Sequence, residues 1–180
     1  MDSHAKVILI PGLFDSGPKH WQTLWQKQHP EYLRVVQRDW ETPACEDWVA
    51  ELERMIAAAG EKTVLAAHSL ACATVAHWAK TRSRPILGAL LVAPSDVEAP
   101  TYPPGSTGFD PMPLGKLPFR SIIVASSDDP YVTLERARKF AKAWGSELVN
   151  IRAAGHINAD SGHGPWPEGE NLLRKLIEQQ

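Results

Sequence analysis

Cysteine is nearly absent from this sequence. The 180 residues include only Cys45 and Cys72. A disulfide framework is therefore excluded, and a reducing, cytoplasmic setting is expected. Charge of one sign is also lacking. Lys and Arg number 19 against 21 Asp and Glu, a formal net charge of −2. No global field draws in nucleic acid or an anionic membrane, and neither is an expected partner. Long hydrophobic runs are missing too: stretches such as Val7-Ile8-Leu9-Ile10 fall far short of a bilayer span. The opening Met1-Asp2-Ser3-His4-Ala5-Lys6 lacks the charged-then-apolar pattern of an export signal. No repeat, charge block or linker interrupts the chain, so residues 1–180 are expected to form one domain.

What is present is an ordinary globular composition, 43% hydrophobic and 22% charged. Short β-branched runs alternate with segments of helical period. Strands are predicted at Val7–Ile10, Arg34–Gln37, Thr63–Ala67, Gly88–Ala93, Ser121–Ala125 and Glu147–Ile151. Several are apolar throughout, which suits strands covered on both faces of a parallel sheet. Helical stripes lie between them. They are Trp21, Leu24 and Trp25; Trp48, Leu52, Met55, Ile56 and Ala59; Ala137, Phe140, Ala141 and Trp144; and Leu172, Leu173, Leu176 and Ile177. Pro167 suits the start of the last helix. Ala71 to Ala79 reads as a further helix, rich enough in small residues to approach a strand closely. The alternation implies an α/β fold: about six parallel strands in a three-layer αβα sandwich.

One link breaks the pattern. Between Ala93 and Ser121 no helix is evident, and Pro94, Pro100, Pro103, Pro104, Pro111, Pro113 and Pro118 fall there. So long a loop is either a rigid surface crossover or a substrate-lining segment.

Ser69 follows the strand Thr63–Ala67 and precedes the small-residue helix. That is the context of a nucleophile elbow, where a sharp turn lifts a serine hydroxyl above the carboxyl edge of the sheet. The residues two places either side must be small. The usual Gly-x-Ser-x-Gly is here Ala67-His68-Ser69-Leu70-Ala71. The plainer reading of Ser69 is a helix N-cap.

A serine nucleophile needs a base, and the base needs an orienting acid. Beyond Ser121–Ala125 come Asp128 and Asp129, and beyond Glu147–Ile151 comes His156. The chain order Ser, acid, His is that of the α/β-hydrolases. Asp129 precedes Pro130, which pushes it out of helical conformation, so it is favoured over Asp128. Asp128 is expected to cap the turn, and Asp96 ranks third. His163 rivals His156. His68 should point away from the serine, and His77 is expected to be a packed or surface residue. His156, Asn158, Asp160 and His163 lack a recognised metal spacing, and no metal or cofactor is expected. Cys72 reads as a small core residue. The oxyanion donors are expected to be the backbone N–H groups of Leu70 and of Leu13, the latter in the loop opened by Pro11-Gly12.

These residues together resemble the small serine hydrolases of the α/β-hydrolase superfamily, the group of retinoblastoma-binding protein nine and the bacterial YdeN-like proteins. The resemblance covers nearly the whole chain. Ile10-Pro11-Gly12 with His20-Trp21-Gln22 is similar to the opening motif. Gln37-Arg38-Asp39-Trp40-Glu41 with Pro43 and Asp47-Trp48 is similar to the second. Ser127-Asp128-Asp129-Pro130-Tyr131-Val132 resembles the acid motif, and Gly155-His156-Ile157-Asn158-Ala159 with Trp166-Pro167 the histidine motif. Ala71 stands where the family usually keeps glycine. The resemblance implies a triad of Ser69, Asp129 and His156.

The expected activity is a carboxylesterase-like hydrolysis of a small-molecule ester, thioester or amide through an acyl-enzyme. The alternatives are a non-catalytic binding protein on the same scaffold, for which the tryptophans would form a partner surface, and an acyltransferase using the same triad. With the first strand beginning at Val7, the length leaves room for a hydrolase core without N-terminal hairpin or helical cap. A shallow, lidless site shaped on one side by the proline-rich loop is therefore expected.

Overall fold

Strands that are apolar on both faces need a layer of helix above and below them, and this chain supplies both. The computed structural model describes residues 5–82 and 84–178. Residues 1–4, the core of the segment read for an export pattern, lie outside the described residues. The elements run β1 (Lys6–Ile10), α1 (Trp21–Gln28), β2 (Leu33–Arg34), α2 (Cys45–Ala59), β3 (Thr63–His68), α3 (Leu70–Thr81), β4 (Gly88–Val92), β5 (Arg120–Ala125), α4 (Leu134–Trp144), β6 (Glu147–Asn150) and α5 (Pro167–Glu178). The sheet is six-stranded in the order β2-β1-β3-β4-β5-β6, and every pair is parallel. The order reverses between β1 and β3, which opens a crevice at their carboxyl ends.

Successive side chains on each strand point to opposite faces. Ile8, Ile10, Leu65, Ala67 and Ile123 pack against α2, α3 and α4. Val7, Leu9, Val64, Ala66 and Val124 pack against α1 and α5. Helix ends follow local chemistry. The Thr133 side chain accepts from Arg136 N–H to start α4, and left-handed Gly145 ends it. Pro167 opens α5, with Glu168 and Glu170 in its first turn.

The predicted second strand needs correction. Arg34–Gln37 was the expectation; β2 is Leu33–Arg34, paired only with Ile8 and Leu9. Val35 N–H still reaches Leu9 O at 3.0 Å. The next ladder bond would require an N–H from Pro11, which has none. Val36 then turns out to solvent at 67% exposure.

The proline-rich link has no helix, as its composition implies. It is nonetheless fixed. Phe109, Met112 and Leu117 are buried. Thr107 exchanges backbone hydrogen bonds with Pro43 and Cys45, both at 2.9 Å. Trp144 Nε1–H donates to Pro113 O at 2.7 Å. No cap domain is evident among the described residues, and no helix of theirs is long and apolar enough to cross a membrane.

Tryptophans are spent on the interior. Trp21, Trp25, Trp48, Trp78, Trp144 and Trp166 are all buried, which removes the basis for a tryptophan partner surface. Trp166 stacks on Trp25 and meets Trp21 edge-on. A Cβ at Gly169 would stand 2.2 Å from Trp166 Cε3. Gly169→Ala should therefore overpack this cluster and lower stability by about 1–3 kcal/mol in urea denaturation. Gly115, with nothing within 4 Å of an added Cβ, should accept alanine within about 0.5 kcal/mol.

Candidate active site

Ser69 is the one residue between β3 and α3. Its backbone sits at φ 59° and ψ −123°, a region that costs a side-chain-bearing residue on the order of 1–3 kcal/mol. It occupies the N-cap position of α3, yet its side chain makes no capping hydrogen bond. Instead, Ser69 Oγ lies 2.9 Å from His156 Nε2 and 2.8 Å from Ser95 Oγ. The turn is tight because its neighbours are small. A Cβ at Gly12 would fall 2.7 Å from His68 O and 2.9 Å from Ser69 Cβ. Ala71 is fully buried in the core beneath the turn.

Asp129 and His156 follow β5 and β6. His156 Nδ1 is 2.9 Å from each Asp129 carboxylate oxygen. The Asp129 side chain has no solvent exposure and that of His156 has 8%. A carboxylate only accepts, so Nδ1 carries the proton and Nε2 is left as an acceptor for Ser69 O–H. Tyr131 N–H also donates to Asp129 Oδ1 at 2.9 Å, and the Tyr131 ring meets His156 edge-on at 4.6 Å.

The loop that carries His156 has no regular structure, so side chains hold it. Asp128 Oδ1 accepts from Ala154 N–H at 2.9 Å and from Gly155 N–H at 2.8 Å. The bond from Ser126 Oγ, followed by these backbone bonds, lowers its carboxyl below the usual range. Gly155 takes φ 57° there. His68 Nε2–H donates to His156 O at 2.8 Å. Trp21 Nε1–H donates to Ile157 O at 2.9 Å.

The other candidates fall elsewhere. Asp96 pairs with Arg136 at 3.1 Å. His163 Nε2 bonds Ala154 O at 3.1 Å and His77 Nε2 bonds Phe109 O at 2.8 Å. Both thiols are buried, and burial pushes Cys45 up to about 12 and Cys72 upward as well. Among the described residues no group of three or more His, Cys, Asp or Glu is arranged to hold a metal. His68 is the reading that changes most. It lies in the wall of the site rather than turned away from it, because its ring anchors the His156 loop.

A cavity of about 320 Å³ opens over Ser69 and His156, and Leu13, Tyr102 and Tyr131 line it. Tyr102 and Pro103 come from the proline-rich link, so that link is both crossover and wall. Asp15 and Asp160 lie at the cavity, and among the described residues no Lys or Arg lines it. Asp15 is paired with Arg34 at 2.6 Å. Near the expected oxyanion donors, Phe14 N–H is engaged with Trp40 O and Asp15 N–H with Gly12 O. That leaves Leu13 N–H as the loop's candidate. Leu70 opens α3, where helical N–H groups lack intrahelical partners.

Three wall residues were not legible as such: Ser95, His20 and Tyr131. Ser95 follows a strand's carboxyl end, the one signal that marks it. His20 Nδ1 accepts from Gln22 N–H to cap α1. Burial, then the nearby Arg34 and His156, pushes His20 down to about 3. Burial first, with His20 and His156 adding, holds His68 well below its ordinary value.

Unfolded, both histidines titrate near ~6.5. Below that pH the unfolded chain binds protons that the folded chain refuses. Their contribution is therefore complete above ~6.5 and is lost as pH falls toward the depressed folded values. Unfolding free energies from urea denaturation, taken from about pH 7 down to about pH 5, should fall by up to ~1.4 kcal/mol per pH unit for each histidine. His20→Asn, which keeps a capping acceptor, should flatten that slope.

Comparisons with known proteins bear on the family and the fold. A family model described as serine hydrolase matches residues 7–175. No curated protein matches the chain. A YdeN-like hydrolase of Pectobacterium atrosepticum is 32% identical, with 97% of this chain and 91% of that one aligned at a TM-score of 0.88. The ydeN gene product of B. subtilis is 21% identical over 97% of this chain and 99% of that one, with a TM-score of 0.82. Est1E of Butyrivibrio proteoclasticus, solved with ferulic acid, is 15% identical over 98% and 89%, with a TM-score of 0.72. The last two show the fold alone. The matched family model and the Pectobacterium relative together establish that this chain belongs to the serine hydrolase family, within the α/β-hydrolase superfamily.

Proposed function

We propose that the protein is a carboxylesterase-like hydrolase of small esters, thioesters or amides, with Ser69 as nucleophile, His156 as base and Asp129 as orienting acid. The observation that carries this reading is the unbroken relay from Asp129 through both ring nitrogens of His156 to Ser69 Oγ, each step at 2.9 Å.

Ser69 Oγ attacks the acyl carbon as its proton passes to His156 Nε2. Asp129 holds the imidazole in the Nδ1–H tautomer and stabilises the imidazolium. The carbonyl oxygen becomes an oxyanion, met by Leu13 and Leu70 N–H, each worth ~2.7–4 kcal/mol in such sites. The bond to the leaving group breaks as Nε2–H protonates it. Water then gives a proton to Nε2 and attacks the acyl-enzyme, and that proton returns to Ser69 as the acid leaves. Asp160 at the cavity, with the charge of Asp15 already offset by Arg34, disfavours anionic acyl groups and favours neutral substrates.

The test is fluorophosphonate labelling alongside turnover of short p-nitrophenyl esters. Wild type should label and turn over. Ser69→Ala should do neither, and Asp129→Asn should lower kcat by about 10⁴-fold through the wrong imidazole tautomer. Equal labelling of wild type and Ser69→Ala would remove Ser69 as nucleophile.

A further inference from the structure

The Ser69 hydroxyl has a second partner that the hydrolytic relay does not use. Ser95 is 1% exposed, and its Oγ lies 2.8 Å from Ser69 Oγ. Ser95 is held from both sides. Ala93 N–H donates to Val124 O at 2.8 Å, and Asp96 N–H donates to Tyr131 O at 2.9 Å. Asp96 is further tied to Arg136 of α4. The backbone bends at Ala93, with φ 48°, directly after β4. The bend fixes Ser95 beside the elbow.

The direction of this hydrogen bond follows from counting protons. Asp129 requires the proton of His156 on Nδ1, so Nε2 takes the single proton of Ser69. Ser69 then has none left to give, and Ser95 O–H is the donor. Ser69 Oγ is roughly tetrahedral. One direction is its bond to Cβ, one is the proton directed at His156, and one lone pair faces Ser95. A single lone pair remains for attack.

We propose that Ser95 is a positioning residue that aims the one free lone pair of Ser69 Oγ at the substrate carbonyl. The proposal rests on the triad reading above. Without the Ser95 donor, Oγ keeps its proton and its base but gains freedom to rotate about the Cα–Cβ bond. The fraction of encounters with an aligned lone pair falls, and the rate of acylation falls with it. The His156–Asp129 pair is not altered, and slower acylation lowers kcat/KM, which reports acylation whichever step limits turnover.

The experiment measures the second-order rate of fluorophosphonate labelling, with kcat and KM on p-nitrophenyl acetate, for wild type, Ser69→Ala, Ser95→Ala and Ser95→Thr. Ser95→Ala should label about tenfold more slowly and lose kcat/KM by a similar factor. Ser95→Thr, which keeps the hydroxyl, should recover most of that loss. Wild-type labelling by Ser95→Ala, with Ser69→Ala unlabelled, overturns the proposal and leaves the triad reading standing. Equal losses in Ser95→Ala and Ser95→Thr also overturn it, since they assign the effect to packing. Labelling of Ser69→Ala removes the triad reading and this proposal together. If Ser95→Ala does not fold, Ser95→Cys, close in size and a weaker donor, takes its place with the same outcomes.

Discussion

The tight turn at Ser69 is the constraint on which the remainder of the site depends. An L-residue at φ 59° and ψ −123° is held there only when its surroundings leave no easier path. Here Ser69 N–H is fixed to Val92 O at 2.9 Å, α3 begins at the next residue, and Gly12 fills the space that any larger residue would need. The same pattern extends along this edge of the sheet. Among the described residues, the non-glycine residues with positive φ are Phe14, Asp15, Ser69, Ala93, Arg152, Ile157 and Trp166. All lie in segments that leave the carboxyl ends of strands. The strands carry the stability, and the loops above them carry the strain.

A second requirement is that an irregular loop hold His156 to hydrogen-bonding precision. Regular structure cannot do so, because β6 has already ended. The solution draws on distant parts of the chain: Asp128 from the β5 loop, His68 from the elbow and Trp21 from α1. Because His68 is the neighbour of Ser69, its bond ties the Ser69 turn directly to the His156 loop. The imidazole rings of His20, His68 and His156 meet in sequence at 4.7 and 4.8 Å. Burial suppresses the protonation of His20 and His68, and uncharged imidazoles pack this way at low cost, so that burial is part of the architecture.

Much of this was legible in the sequence. The sheet, its crossovers and the relative places of Ser69, Asp129 and His156 follow from apolar runs, helical stripes and the Asp129-Pro130 restriction. Asp128, expected to cap its own turn, instead bonds the backbone of the loop that carries His156. What escaped were features set by tertiary packing. The end of β2 depends on a missing N–H in Pro11, which belongs to another strand's extension. His68 alternates away from Ser69 along a strand, yet it meets His156 because the later loop folds back over it. Ser95 gave little local signal, since a serine after a strand in a proline-rich link has many uses, and only the position of Ser69 Oγ distinguishes this one.

Pro11 has a bearing on the protein's behaviour in a crowded solution. An exposed sheet edge invites strands from other chains to pair with it, which is how many parallel sheets begin to aggregate. The β2 edge offers only Leu33 and Arg34. The opposite edge, β6, is four residues long and exposed at both ends, Glu147 and Asn150. By stopping β2 early, the proline that opens the loop after β1 also keeps one margin of the sheet too short to serve as a template for a neighbouring molecule.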